Sequence, residues 1–508
     1  MNDITSLEHD WLLAWARSDS NPPAMFHPLL DEFSNLEKLE IANAIPSNTP
    51  ILVSPDGECD VRLCKFFLSP HFTRLRNSTK QSYAKDLRLW LRYLDSRRKD
   101  WAEASPDDVN VYWLWRSRSD INEDAVGGSK MNRELAAISL LYRWASHPSR
   151  GYIEFNPIER ESLSPQDNGR SVVPRTPVRS KNVVGSRVKW LTPQTFRLWR
   201  QVGIEGYTLE NLRDEVFRGR TVLRNRAMVD LLYGSGLRIT EAGALLLPEI
   251  PVRGRGPGFN EAQLSAAIAK GGRSRTWYLF DDASALVDSY LSVTRRAAVD
   301  RARNEGRYDD RSVIAVDDVR ATTHSIEYRF NGSWHDHNRV DIARRRRMFI
   351  DNGDGLEPMW LWLNEGGLPM STDSWTDVLN TANERVAKLF KVGRLNGTID
   401  RNMGAPRISP HSLRHSFALF MLIALHRAID ERTGNNHATD YDEERYRSAW
   451  DMVRDLLGHR SVETTRECYL APLNGIRLRS VIDEPDLQRA LSGLARVDSR
   501  IVDVTVTP

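Results

Sequence analysis

Between residues 61 and 158 the apolar positions recur at spacings of three and four. Tyr83, Leu87, Trp90, Leu91 and Leu94 share one helix face, with Ser78 or Thr79 as a cap. The opposite face carries Lys80, Lys85, Arg88 and Arg92. Leu135, Ile138, Leu141, Tyr142 and Ala145 repeat the period, and Pro106 after a Ser105 cap opens a helix between the two runs. This stretch predicts an all-helical domain of three to five helices. Residues 1–60, aromatic at Trp11 and Trp15 and then broken by prolines, read as a small helical appendage or partly ordered arm of unknown role. Residues 159–189 are rich in Ser, Pro and Arg, and read as an exposed basic linker.

From residue 190 the pattern becomes mixed. Thr192-Pro193 is a helix start, and Leu223 to Tyr233 continues as helix. Leu264 to Ile268, a Lys270-Gly271-Gly272 turn and Ser274 to Phe280 with alternating Thr276, Tyr278 and Phe280 predict a β-hairpin. Residues 295–358 are charged and irregular, and include the run Arg344 to Arg347, which fits a DNA contact or a solvated loop equally well. A short apolar run, Trp360 to Leu363, precedes a Gly366-Gly367 turn. Helices follow over Thr372 to Phe390 and from Pro410 to about Asp430. The last apolar periodicity is Leu487, Leu491, Leu494 and Val497, in a tail (473–508) expected to find few neighbours in its own chain. The fold expected is mainly α with a small β-sheet.

The 508 residues, 40% apolar and 27% charged, suffice for two to four domains at roughly 150 residues each and exclude wholesale disorder. The longest strongly apolar stretch, Ala418 to Leu425, is far short of the roughly 20 residues of a membrane span. The N-terminus has acidic residues and no apolar h-region, so it does not read as a signal peptide. Cys59, Cys64 and Cys468 make an odd count without zinc-like spacing, which suits a reducing, cytoplasmic setting. A net charge of +3 permits a nucleic-acid partner without requiring one.

Four segments could carry chemistry. In Tyr233-Gly-Ser-Gly-Leu-Arg238-Ile-Thr-Glu241 a Gly-Ser-Gly turn opens a helix whose first turn favours an anion, with Glu241 near enough to orient Arg238. Lys270 stands at the hairpin tip, where it could reach a phosphate or simply be solvated. In Ser409-Pro-His411-Ser-Leu-Arg414-His415 the cap and proline start a helix. There His411 and Arg414 face the same way, one able to exchange protons and the other to bind phosphate bidentately; His415 reads as packed. In the fourth, Leu456-Leu-Gly458-His459 to Tyr469, Gly458 ends one helix and Ser461 caps the next. A tyrosine phenol is a poor nucleophile unless its proton is removed or cations surround it. Asp309-Asp310 and Asp317-Asp318 read as solvated pairs rather than a metal site.

Taken in order, these motifs resemble the tyrosine recombinases, or phage integrases, closely over 190–472 and loosely over 61–158. Residues 1–60 and the 295–358 insertion lie outside the resemblance. It implies a helical core-binding domain (61–158) and a mixed α/β catalytic domain (190–472) clamping duplex DNA at specific core sites, as a homotetramer in the synaptic complex. It implies that Arg238 and Arg414 bind the scissile phosphate, that Lys270 assists departure of the 5′ oxygen, that His411 transfers protons, that His459 supports the transition state and that Tyr469 attacks phosphorus. The bond energy stays in a 3′-phosphotyrosyl link, so no cofactor or metal is expected. Lys80, Lys85, Arg88, Lys130, Arg133, Arg273 and Arg275 are candidate DNA contacts, with Arg273 or Arg275 as alternatives to Lys270 beside the phosphate. In the family the C-terminal helix often docks on an adjacent protomer, and the same is expected here. A topoisomerase using similar chemistry and a catalytically silent DNA-binding protein are the competing readings.

Overall fold

The computed structural model describes residues 10–16, 45–46, 48–118, 120, 122–153, 156–158, 189–252, 258–309, 312–322, 325–433, 442–466, 486–496 and 498–504. The chain divides into two units, Met1–Gly185 and Ser186–Pro508. Among the described residues no helix is long and apolar enough to cross a membrane.

In the first unit, strands β1 (Leu12–Trp15) and β2 (Pro50–Val53) pair antiparallel, and helices α1 (Val61–Leu68), α2 (Pro70–Thr73), α3 (Asn77–Ser96), α4 (Pro106–Ser117) and α5 (Gly128–Ala145) follow. The predicted stripes are the packed ones: Leu87, Trp90, Leu91 and Leu94 on α3 bury against Leu135, Ile138, Leu141 and Tyr142 on α5. Polar atoms in this core are satisfied in series. Trp90 Nε1 donates to Tyr142 Oη (3.0 Å), which donates to the Trp101 carbonyl (2.7 Å). Ser105 and Asp108 cap α4 reciprocally, with Pro106 in the first turn. The expected Ser78 or Thr79 cap of α3 is not used; the helix starts at Asn77 without a side-chain cap. β1 and β2 come from the stretch read as a helical or partly ordered appendage. They are strands, and Leu52 is buried in the same core as α3 and α5.

The second unit is built on α6 (Pro193–Trp199), extended by a π-helical turn (Arg200–Glu205), and on α7 (Val222–Ser235), α8 (Ile239–Ala242), α9 (Asp281–Ser289), α10 (Arg296–Asn304), α11 (Ile342–Arg345), α12 (Ser374–Leu395), α13 (Pro410–Thr433), α14 (Arg447–Leu457), α15 (Val462–Thr465) and α16 (Leu487–Ala495). Its sheets are small. β3 (Trp190–Leu191) pairs parallel with β12 (Ile501–Val502), and β4 (Phe259–Leu264) pairs antiparallel with β5 (Arg275–Phe280). β7 (Asp318–Ala321), β8 (Ile326–Phe330) and β9 (Ser333–Asp336) form a meander, and β10 (Met348–Asp351) lies between β11 (Leu356–Pro358) and β6 (Ile314–Val316). The fold is mainly helical with small sheets, a helical domain followed by a mixed α/β domain.

Three expectations change. The first hairpin strand ends at Leu264 rather than running to Ile268, and residues 265–274 form the connection. Ile268 and Ala269 turn into the core instead. The 295–358 stretch is not irregular: Ile326, Tyr328, Phe330, Val340 and Met348 belong to the main hydrophobic core. Within Arg344 to Arg347, Arg345 is fully buried, so that run is neither wholly a DNA face nor a solvated loop. Finally, the C-terminal segment has neighbours in its own chain. Leu491, Leu494 and Ile501 pack with Trp190, Phe417 and Leu419, and Thr192 Oγ1 donates to Asp503 (2.9 Å). The cause is α13, which buries residues on every side and leaves a second apolar face to be covered.

The buried segment Trp360–Leu363 is tied to the end of α8 and the residues after it. Leu361 N–H donates to the Leu245 carbonyl (3.0 Å) and Trp362 Nε1 to the Ala242 carbonyl (2.8 Å), fixing the end of α8.

Candidate active site

Glu241 organises the cluster. It is the third residue of α8 and fully buried, and it accepts hydrogen bonds from the Arg238 backbone N–H (3.0 Å) and from Arg238 Nη1 (2.9 Å). Arg275, at the first position of β5, adds an ion pair at 2.6 Å, and the Lys270 backbone N–H donates to Glu241 Oε1 (3.1 Å). Burial alone would raise the carboxyl pKa. The charges of Arg275, Arg238 and Arg414 outweigh it and hold the group at about 2. One carboxylate therefore fixes two arginines and the loop that carries the lysine.

Arg414 enters from α13 and is almost wholly buried. Its guanidinium donates to the carbonyls of Gly236 and Leu457 and lies 3.4 Å from His459 Nε2. Gly236 ends α7 at φ +63°, and a Cβ there would sit 2.2 Å from the Phe417 ring, so only glycine lets this carbonyl approach. Gly458 ends α14 in the same left-handed conformation and passes close to Arg275. His459 Nδ1 pairs with Thr465 Oγ1 (2.9 Å), as α15 follows its Ser461 cap. Because Nε2 faces a guanidinium, which can only donate, Nδ1 is assigned the proton. Burial first, then Arg414, Arg238, Arg275 and Lys270, push the His459 pKa down to about 3, so the ring is neutral at physiological pH.

His411 stands at the exposed start of α13. The surrounding protein, and after it the charges of Arg414, Lys270 and Arg238, lower its pKa. Lowering the pKa favours the neutral ring, whose free nitrogen can accept a proton, at some cost in basicity. The arrangement thus gathers Arg238, Lys270, His411, Arg414 and His459 from four separate segments, with more positive charge than Glu241 neutralises. Such a cluster stabilises the charge that develops on a phosphoryl group in transfer. Tyr469 lies outside the described residues. Among the described residues no group of three His, Cys, Asp or Glu side chains is placed to hold a metal ion.

Other sequence candidates fall elsewhere. His415 is packed edge-on against Trp190. Arg273 is exposed in the loop before β5, whereas Arg275 is turned inward to Glu241 and to the Leu456 carbonyl (3.2 Å). On the first unit Lys85 is exposed, Lys80 is half-buried, and Arg88 lies 3.6 Å from Asp10. Lys130 and Arg133 are held by the fully buried Asp86 at 2.7 and 2.8 Å. The carbonyls of Gly236 and Leu457 were not legible as site groups, because a backbone acceptor has no sequence signature.

Comparison with known proteins decides the family. Residues 72–148 match the phage integrase N-terminal SAM-like domain, and residues 207–426 match the phage integrase family. The chain belongs to the tyrosine recombinases of the phage integrase family. It is an enzyme that breaks and rejoins DNA strands in site-specific recombination. The recombinase is 26% identical over 404 residues to tyrosine recombinase XerD of Mycobacterium tuberculosis (strain ATCC 25618 / H37Rv), covering 79% of this chain and 89% of that protein. It is 22% identical to XerC of Roseiflexus castenholzii, covering 77% and 82% of the two chains. Among solved structures it is similar to XerH bound to difH substrate (TM-score 0.37, 12% identity, 82% of this chain and 79% of that one). It is also similar to the Tn1549 transposon integrase with circular intermediate DNA (TM-score 0.37, 13% identity, 80% and 94%).

Proposed function

We propose that this recombinase cuts one DNA strand at a specific core site by attack of Tyr469, and so integrates, excises or transposes a mobile element. The phenolate oxygen of Tyr469 forms a bond to phosphorus as the P–O5′ bond breaks. The 5′ oxygen takes a proton from Lys270, and the resulting 5′ hydroxyl later attacks a partner strand's 3′-phosphotyrosyl link. Arg238 and Arg414 hold the non-bridging oxygens, His411 accepts the tyrosine proton, and neutral His459 supports the transition state by accepting from Arg414 at Nε2 and so holding that guanidinium in place as the charge builds. The observation that carries this reading is the convergence on Glu241 of Arg238, Arg275 and the lysine loop, with Arg414 and His459 beside them. Duplex DNA is the proposed partner, with four copies of the chain acting together in the cytoplasm on the nucleoid. The helical unit is proposed to supply a second DNA-binding face through Lys80, Lys85 and Arg88.

The test uses a nicked duplex in which the cleaved strand loses its 5′ end by diffusion, with a core sequence taken from the repeats flanking the gene. A covalent protein–DNA band is expected with the unaltered chain and none with Tyr469→Phe. Relaxation of a supercoiled plasmid lacking that core would favour a topoisomerase instead, and no band with the core would favour a silent DNA-binding protein.

A further inference from the structure

The insertion that separates the lysine from the downstream residues is tied to the loop that carries it. Ser265 is the first residue after β4 and fully buried, and its hydroxyl donates to the His337 carbonyl (2.7 Å). One residue on, the Ala266 N–H donates to Asn338 Oδ1 (2.8 Å). His337 and Asn338 follow β9, inside the insertion. Their backbone is itself held. The His337 carbonyl also accepts from Arg345 Nη2 (3.0 Å), and Arg345 Nη1 is paired at 2.7 Å with Glu249, with both side chains of that pair fully buried.

From this anchor to Lys270 the chain has little freedom. The N–H groups of Ile268 and Ala269 both donate to the Ser265 carbonyl, Gly272 N–H donates to the Ala269 carbonyl, and Ile268 and Ala269 are buried. The Lys270 backbone N–H then reaches Glu241. The loop is thus fixed at two places, by the site at Lys270 and by the insertion at 265–266.

We propose that Asn338, with the His337 carbonyl, is a positioning group that sets the height of the lysine loop over the scissile phosphate. In this recombinase the insertion is part of the machinery that delivers the lysine. This rests on the reading that Lys270 protonates the leaving 5′ oxygen. A displaced loop weakens that proton transfer while leaving the arginine and histidine contacts in place.

The experiment compares single-turnover cleavage of the core duplex with cleavage of the same duplex carrying sulfur in place of the bridging 5′ oxygen. A thiol, with a pKa of about 8.5, leaves as thiolate without a proton donor. Asn338→Ala is expected to cleave ordinary DNA about tenfold more slowly, the size of one lost hydrogen bond of about 1.4 kcal/mol, and the sulfur substrate at the wild-type rate. Ser265→Ala should behave alike, and Asn338→Asp, which keeps the acceptor, should restore the ordinary rate. Lys270→Ala is the control and should lose about 100-fold or more on ordinary DNA but recover on the sulfur substrate. If Lys270→Ala recovers while Asn338→Ala and Ser265→Ala are either normal on ordinary DNA or equally slow on both substrates, the positioning role is wrong. If Lys270→Ala itself fails to recover, the assignment of the lysine fails and takes the inference with it.

Discussion

Two glutamates eight residues apart, Glu241 and Glu249, are built alike and serve different ends. Both are fully buried, and each accepts the backbone N–H of the residue three before it. In both, burial would raise the pKa, but positive neighbours bring it to about 2. Glu249 meets one arginine, Arg345, and a buried His337, and the cluster is closed and nearly neutral. Glu241 meets Arg238 and Arg275 with Arg414 behind them, and Arg238 remains 16% exposed. The same device is a strut where charges balance and a phosphate site where cations are in surplus and one side is open.

The largest effect should come from breaking the strut. Arg345→Met leaves the Glu249 carboxylate buried without its guanidinium, which should cost about 3–5 kcal/mol in urea unfolding of the chain. The paired replacement Arg345→Met with Glu249→Leu should recover much of that loss, since well-packed apolar groups often replace a buried ion pair without penalty. If the single variant were as stable as the parent, the Glu249–Arg345 pair would not be a strut.

Glu241→Gln sharpens the contrast. It removes the charge that aligns two arginines, so cleavage should fall by about 100-fold, the order expected when reacting groups are misplaced by about 1 Å, while DNA affinity changes far less. Single-turnover cleavage and a binding titration on one preparation separate the two. Equal losses in both would reduce Glu241 to a purely structural residue like Glu249.

Acid should weaken the recombinase in two overlapping stages. Neutral His459 has a folded pKa near 3 against an ordinary 6.5, so the unfolded chain takes up its proton first as pH falls. Stability is therefore lost progressively from about 6.5 towards 3. Glu241 and Glu249, depressed from 4.5 to about 2, contribute above 4.5 and lose that contribution as pH falls towards 2. Urea midpoints measured across this range should fall with pH, and His459→Gln should flatten the upper part, from 6.5 to 4.5, while leaving the lower part.

How much of this the sequence displayed follows from where each signal lies. Helix faces were legible because α3 and α5 bury one periodic stripe each, and the caps at Ser105, Thr192 and Ser461 announce themselves locally. The arginines and histidines of the site were legible because their motifs are short and contiguous. The insertion was misread because Ile326, Tyr328 and Phe330 alternate with Glu327 and Arg329, a period-2 strand signal submerged in charge. Arg345 was misread because a run of four arginines looks uniformly exposed, and only a carboxylate 96 residues away draws one of them inside. The β4 end was misplaced because Ser265 is captured by a carbonyl 72 residues on.

The smallest effect is expected on the helical unit. Lys85→Ala should lower the slope of log affinity against log salt by about 1, as one phosphate contact is lost. Arg133→Ala removes a partner of buried Asp86, and should instead lower the stability of that unit.

The central claim is that the surplus of positive charge around Glu241 serves a phosphoryl transfer to Tyr469. The direct measurement is to trap the recombinase on its nicked core duplex, digest it, and identify by mass spectrometry the residue bonded to the nucleotide. A phosphotyrosyl bond at Tyr469, formed by the parent chain and abolished by Arg414→Ala, is the predicted result. A nucleotide bonded to any other residue, or a Tyr469 bond formed at the parent rate without Arg414, would contradict it.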